Sequence, residues 1–217
     1  MYFSRMILNP RRRKTKAFLA NPEMLHAAVE STYHTPVGTE RRTLWRVDKV
    51  SDELHLYVAS PEVPSFELIQ EQAGWSQQVT WQCRDYSILL DRLMAGQRYS
   101  FRLTANPTRT VTDANGKKRR KAEVGVNNQR RWLLQRQEQL GAIFPEVDGE
   151  AAVNVVESRN LVFPKKGRKV TVVAVTYQGV LEVTDPEQLR KTLTTGIGKA
   201  RAYGCGLLTL APITGAQ

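Results

Sequence analysis

Proton transfer near neutral pH is imidazole chemistry, and this chain carries three imidazoles, His26, His34 and His55. Its two cysteines, Cys83 and Cys205, stand far apart and lack metal-ligand spacing, so reduced thiols and no zinc site are expected. A third candidate is the glycine-rich stretch GIGKARAYGCGLL, Gly196 to Leu208, which invites comparison with nucleotide-phosphate loops. It fails both tests. A Walker loop needs glycine where Leu193 stands and a hydroxyl where Ala200 stands, and the dinucleotide fingerprint needs glycine where Arg201 stands. Two readings stay open. Bare backbone at Gly196 and Gly198 can approach a phosphodiester while Lys199 and Arg201 add charge, or the glycines supply a turn with positive φ.

Charge is concentrated in three runs: Arg11, Arg12, Arg13, Lys14 and Lys16; Lys117, Lys118, Arg119, Arg120 and Lys121; Lys165, Lys166, Arg168 and Lys169. One such run is ordinarily a solvated surface. Three runs in a chain with 32 Lys and Arg against 21 Asp and Glu, a net charge of +11, point to a polyanionic partner. An RNA hairpin fits that description, because its closely spaced phosphates and deep, narrow groove are recognised through backbone and shape. Trp45, Trp81 and Trp132 fall in periodic segments and read as core; Trp75 does not.

The scaffold for these residues follows from periodicity. With 217 residues and 41% hydrophobic content, the chain is globular and has room for one large domain or two small ones. No apolar stretch approaches the ~20 residues that span a bilayer, so neither membrane insertion nor secretion is expected, and the chain reads as cytoplasmic. YFSRMILN at Tyr2 to Asn9 alternates as a strand, and Pro10 ends it before a basic loop. Asn21 and Pro22 then mark a helix to about Tyr33, whose buried stripe is Leu25, Ala28, Val29 and Thr32, with His26 at its margin. A hairpin (Thr43 to Ala59), a helix (Ser65 to Gln72) and a strand (Gln78 to Cys83) complete a β-α-β-β-α-β order. Ala95 and Gly96 make the boundary.

The second half repeats that order. A strand at Arg98 to Ala105 precedes a hairpin with a charged returning strand, and Asn127 or Asn128 caps a helix ended by Gly141. Strands at Val153 to Phe163 and Val170 to Tyr177, a helix opened by Asp185 and Pro186, and a strand at Leu207 to Leu210 follow. The expectation is an α+β protein with two tandem ferredoxin-like domains, 1–95 and 96–217.

Five segments carry a resemblance: MYFSRMILNP, LANPEMLH ending at His26, FRLTANPTRT, VTYQGVLEVTDP and GIGKARAYGCGLLTLAP. Together they resemble the CasE family, the pre-crRNA-processing endoribonucleases of type I-E CRISPR systems, along the whole chain. The resemblance implies tandem ferredoxin-like domains, binding of a CRISPR repeat RNA stem-loop, and assembly with the other subunits of a surveillance complex. No cofactor is implied, since RNA supplies its own nucleophile in the 2′-hydroxyl. On this footing His26 is the catalytic candidate, His34 and His55 are bystanders, and His55 is expected on the outer face of a strand.

The resemblance also places the 165–169 segment near the RNA stem and makes Arg168 the candidate cation beside the cleaved phosphate. The RNA-binding set is then Arg11, Arg12, Arg13, Lys14, Lys117, Lys118, Arg119, Arg120, Lys165, Lys166, Lys169, Gly196, Gly198, Lys199 and Arg201. One departure matters. The family commonly has tyrosine three residues before the histidine, where this chain has Glu23, which can raise the imidazole pKa or, the favoured reading, support the helix N-terminus. The function implied is metal-independent cleavage at the 3′ base of the stem, leaving a 2′,3′-cyclic phosphate and a 5′-hydroxyl. The competing reading is a non-catalytic RNA-binding subunit.

Overall fold

The computed structural model describes residues 1–33 and 42–213. The first half comprises β1 (Tyr2–Leu8), α1 (Arg13–Ala20), α2 (Pro22–Glu30), β2 (Leu44–Val50), β3 (Glu53–Ser60), α3 (Glu67–Ala73) and β4 (Trp81–Asp85). Its antiparallel sheet has the order β2-β3-β1-β4, so the first strand lies between the third and the fourth. Alternation decides which side chains face the helices. Met6 and Leu8 of β1 and Leu56 and Val58 of β3 are fully buried against Phe18, Leu25, Val29, Phe66 and Ile69.

The expected basic loop after Pro10 is shorter than its charge suggested. Asn9 Oδ1 accepts the Arg11 N–H at 2.9 Å, and the helix α1 begins at Arg13, carrying Arg13, Lys14 and Lys16 on its outer side. Burial of Thr15 and Phe18, three residues apart, makes this segment helical despite its lysines. At the next helix the local signals are realised. Asn21 Oδ1 accepts the Glu23 N–H at 3.0 Å, Pro22 fills the first turn, and Pro22, Leu25 and Val29 are buried.

The second half adds α4 (Ser87–Leu90), β5 (Arg98–Ala105), the hairpin β6 (Thr108–Thr112) and β7 (Lys118–Ala122), α5 (Val126–Leu134), α6 (Gln137–Leu140) and the short strands β8 (Ala142–Ile143), β9 (Glu146–Val147) and β10 (Glu150–Ala151). Long strands β11 (Val153–Lys165) and β12 (Arg168–Val183), then α7 (Pro186–Thr195) and β13 (Leu208–Ala211), complete it. The order β11-β12-β5-β13 again sets the first strand of the unit between its third and fourth, so each half is ferredoxin-like. The α5 helix opens at Val126 after Gly125 (φ 85°) rather than at an asparagine cap, and the chain breaks at Gln135 before α6.

The halves are joined through a buried guanidinium. The Arg46 side chain donates to both carboxylate oxygens of Asp48 at 2.8 Å, to the Arg102 and Leu207 carbonyls at 2.9 and 2.8 Å, and to Thr209 Oγ1 at 2.8 Å. This guanidinium fastens β2 to β5 and β13, and loss of the Asp48 carboxylate would cost about 3–5 kcal/mol by leaving the buried Arg46 charge unpaired. Tyr86, Leu90 of α4 and Leu93, although they precede the expected Ala95–Gly96 boundary, pack into the larger core of the second half.

Trp45 and Trp132 are core residues, whereas Trp75 is exposed. His55 stands on the sheet face away from the helices, as alternation implied, but that face is covered there: the ring is buried, with Nε2 at 2.7 Å from Glu53 Oε2 and Nδ1 at 3.2 Å from the Tyr57 hydroxyl. His34 lies outside the described residues. Cys83 and Cys205 are free thiols, and full burial pushes Cys205 up to about 12. Among the described residues no helix is long and apolar enough to cross a membrane.

Candidate active site

His26 stands on α2 one position past the buried Leu25, so its ring is held at the edge of the core with its side chain 30% exposed. The indole of Trp45, reaching across from β2, donates to His26 Nδ1 at 3.3 Å. An indole nitrogen can only donate, so Nδ1 is the acceptor and the proton of the neutral ring lies on Nε2. Glu30, one turn further along α2, sets Oε1 3.9 Å from the same Nδ1. When the ring is charged its second proton lies on Nδ1, on the side of this carboxylate. Burial pulls the His26 pKa below 6.5; Glu30 opposes this, Lys165 adds to it, and Glu23 opposes it more weakly. The ring therefore enters neutral pH mainly uncharged.

A cation approaches this helix from the second half. The β11–β12 hairpin turns through Lys166 (φ 47°) and Gly167 (φ 72°), the paired positive φ values of a tight two-residue turn, which sets Lys165 and Arg168 opposite one another. Lys165 Nζ lies 3.2 Å from Glu23 Oε1 on α2 and donates to the Tyr203 hydroxyl at 2.9 Å. Tyr203 hydrogen bonding, then Glu23, pushes the Lys165 pKa upward, so the ammonium stays charged. Arg168 is exposed on the returning strand; the cation that reaches the helix of His26 is Lys165. Glu23 is thus neither solely a helix-terminal charge nor chiefly a partner of His26, since its carboxylate ion-pairs with Lys165.

The glycine-rich loop supports the site from beneath. Gly196 is buried at φ 74°, where an added Cβ would meet Leu44 Cδ2 at 2.8 Å and the Gly206 carbonyl oxygen at 3.0 Å. At Gly204 (φ 77°) an added Cβ would lie 2.8 Å from the Trp45 ring, the same indole that binds His26. Gly198 packs toward Trp132, and the Arg201 guanidinium turns inward to donate to the Gly196 carbonyl at 2.9 Å. Gly196 and Arg201, expected at RNA, are used inside the loop; Lys199 is exposed. The positive-φ reading accounts for these glycines.

The remaining predicted cations are dispersed. Arg11, Arg12, Arg13 and Lys14 occupy the entry and first turn of α1, with Lys14 Nζ 5.5 Å from the Phe18 ring centre. Lys118, Arg119 and Arg120 are exposed along β7 with Lys117 in the turn before it, and Arg119 pairs with Asp113 at 3.0 Å. Lys166 and Lys169 are exposed near the β11–β12 tip. Glu30 and Tyr203 were not singled out from the sequence as site residues, and Trp45 was read only as core. The four-residue spacing of His26 and Glu30 was a usable signal, but the two aromatics come to the site only through tertiary packing.

The tandem fold with an imidazole and an ammonium brought together across its two halves defines a class of protein built to act on an anionic substrate. Residues 1–212 match the family described as CRISPR associated protein, and the chain belongs to that family. It is 30% identical to the CRISPR-associated endoribonuclease Cse3 of Thermus thermophilus over 98% of this chain and all of that protein. Identity to the Cascade subunit CasE of Escherichia coli K12 is 26%, again over 98% of this chain and all of the relative. A solved structure of Thermus thermophilus Cse3 bound to an RNA representing a pre-cleavage complex superposes with a TM-score of 0.81 at 29% identity, covering 97% of this chain and 98% of that one.

Proposed function

We propose that this chain is a metal-independent endoribonuclease that binds the stem-loop of CRISPR repeat RNA and cuts at the 3′ base of the stem. The observation that carries the reading is that a hairpin cation, Lys165, is held by Glu23 on the same helix that presents the partly exposed imidazole of His26. The likeness to Cse3, named an endoribonuclease and solved with a pre-cleavage RNA, supports it. In the reaction the RNA 2′-oxygen bonds to phosphorus as the bond to O5′ breaks, leaving a 2′,3′-cyclic phosphate and a 5′-hydroxyl. His26 is the proton-transfer group, and the Lys165 ammonium offsets charge that grows on the phosphate oxygens.

The division of labour follows the two halves. Residues 1–95 supply the histidine, and residues 96–217 supply the hairpins and the glycine-rich loop that frame it. Exposed Arg13 and half-buried Lys14 on α1, with exposed cations on β7 (Lys118, Arg120) and at the β11–β12 tip (Lys166, Arg168, Lys169), form the RNA-binding surface. Because these cations engage the stem, the cleaved hairpin stays bound and the protein remains on the mature RNA as a subunit of a cytoplasmic surveillance complex. The Cascade subunit name of the Escherichia coli relative supports that assembly. The test is cleavage of structured repeat RNA in excess chelator, with and without a deoxynucleotide immediately 5′ of the cut. Only the all-ribose RNA should be cut, and it should yield the cyclic end; cleavage of the deoxy RNA, or a requirement for metal, would refute the mechanism.

A further inference from the structure

Lysine is a poor catalytic cation unless it is held, because its four-carbon stem is flexible and its ammonium strongly hydrated. Lys165 sits at a hairpin tip with 35% of its side chain exposed, the setting in which a lysine ordinarily wanders. Two partners from two different elements hold it: Glu23 Oε1 at 3.2 Å from α2, and the Tyr203 hydroxyl at 2.9 Å from the short 3₁₀ turn Arg201–Tyr203.

Tyr203 is itself fixed. Its ring meets Phe163 edge-on with centroids 4.8 Å apart, and Phe163 is buried on the same hairpin that carries Lys165. Its turn runs between Ala200 (φ 62°) and Gly204 (φ 77°), is clamped by the Arg201 bond to the Gly196 carbonyl, and packs on α2. An ammonium has three N–H donors, and Glu23 and Tyr203 engage two of them. The third is left for an anion seated beside His26.

Resting on the endoribonuclease reading above, we infer that Tyr203 is a positioning residue for cleavage: its hydroxyl fixes the Lys165 ammonium over the helix of His26 so that the remaining N–H meets the reacting phosphate. The glycine-rich loop thereby acquires a role in the reaction although its glycines are absorbed by packing. It delivers one phenol to the hairpin tip.

Tyr203→Phe keeps the ring on Phe163 and removes only the hydroxyl. At saturating protein the single-turnover cleavage rate should fall about tenfold, the consequence of losing one charge-assisted hydrogen bond. Affinity for an RNA carrying the deoxynucleotide block and the thermal midpoint should both be unchanged. In a Lys165→Ala background the same substitution should have no further effect. In the RNA-free protein the Lys165 ammonium, followed by carbon-13 NMR, should titrate at lower pH once the hydroxyl is gone.

A parental cleavage rate in Tyr203→Phe, an equal rate loss in both backgrounds, or an unmoved Lys165 titration would each overturn the inference. If Lys165→Ala cleaves slowly and Tyr203→Phe does not, the positioning role alone falls. If Lys165→Ala cleaves at the parental rate, the lysine has no place in the site and both of its proposed roles fall.

Discussion

The two basic hairpins differ in what holds them. The β6–β7 hairpin is a separate two-stranded sheet whose residues Lys118 to Lys121 are all exposed, tied to the body near its base by the Trp132 indole on the Thr108 carbonyl at 3.3 Å. The β11–β12 hairpin continues the main sheet of the second half, and its tip is pinned to the first half by the ion pair of Lys165 with Glu23. Their basic runs, Lys117 to Lys121 and Lys165 to Lys169, hold five and four cations. Only one delivers that charge to an imidazole. Density of lysine and arginine marks where an RNA backbone can lie, whereas anchorage marks where a cation can take part in bond breaking, because only a fixed charge stabilises a transition state without reorganising.

That contrast yields a paired expectation. Lys165→Ala should slow cleavage at saturating protein by about 10²-fold, in the range found for loss of an electrostatic stabiliser, with little change in RNA affinity. The double substitution Lys118→Ala with Arg120→Ala should do the reverse. Cleavage of bound RNA should be unchanged, while affinity falls and the slope of log affinity against log salt flattens by roughly 0.7 to 0.9 for each phosphate no longer neutralised by a side chain. Equal effects of the two variants on bound-state cleavage would erase the distinction between the hairpins.

A smaller effect sharpens the same point. Lys165 lowers the His26 pKa and Glu30 raises it, so the midpoint of the His26 titration should move up in Lys165→Ala and down in Glu30→Gln. Substitutions on β7 should leave it where it is. The titration read by NMR in the free protein, and again as a limb of the pH-rate profile, checks both signs.

The sequence carried the fold because its signals were local. Strand alternation at Tyr2 to Leu8, the Asn21–Pro22 helix start and the Asp185–Pro186 start, where Asp185 Oδ1 accepts the Gln188 N–H at 3.0 Å, all depend on neighbours within a few residues. His26 at the margin of a buried stripe was legible for the same reason. What was not legible depends on distance. Charge hid the helix that starts at Arg13, because burial of Thr15 and Phe18 is a tertiary fact. The choice of Lys165 over Arg168 rests on partners 142 positions earlier and 38 later in the chain. Arg201 and Gly196 read as ligand-facing because a basic glycine loop on a surface looks like one folded onto its own carbonyl. The partners of His55 were near in sequence, at Glu53 and Tyr57, but alternation alone could not say that this face of the sheet is covered there.

The proposed reaction depends on His26 more than on any other residue, and one rate decides it. His26→Ala, mixed in excess with labelled repeat RNA in chelator, should bind with unchanged affinity and cleave about 10²- to 10⁴-fold more slowly than the parental chain, the range for loss of a proton-transfer group. Cleavage of that bound RNA at the parental rate would contradict the account.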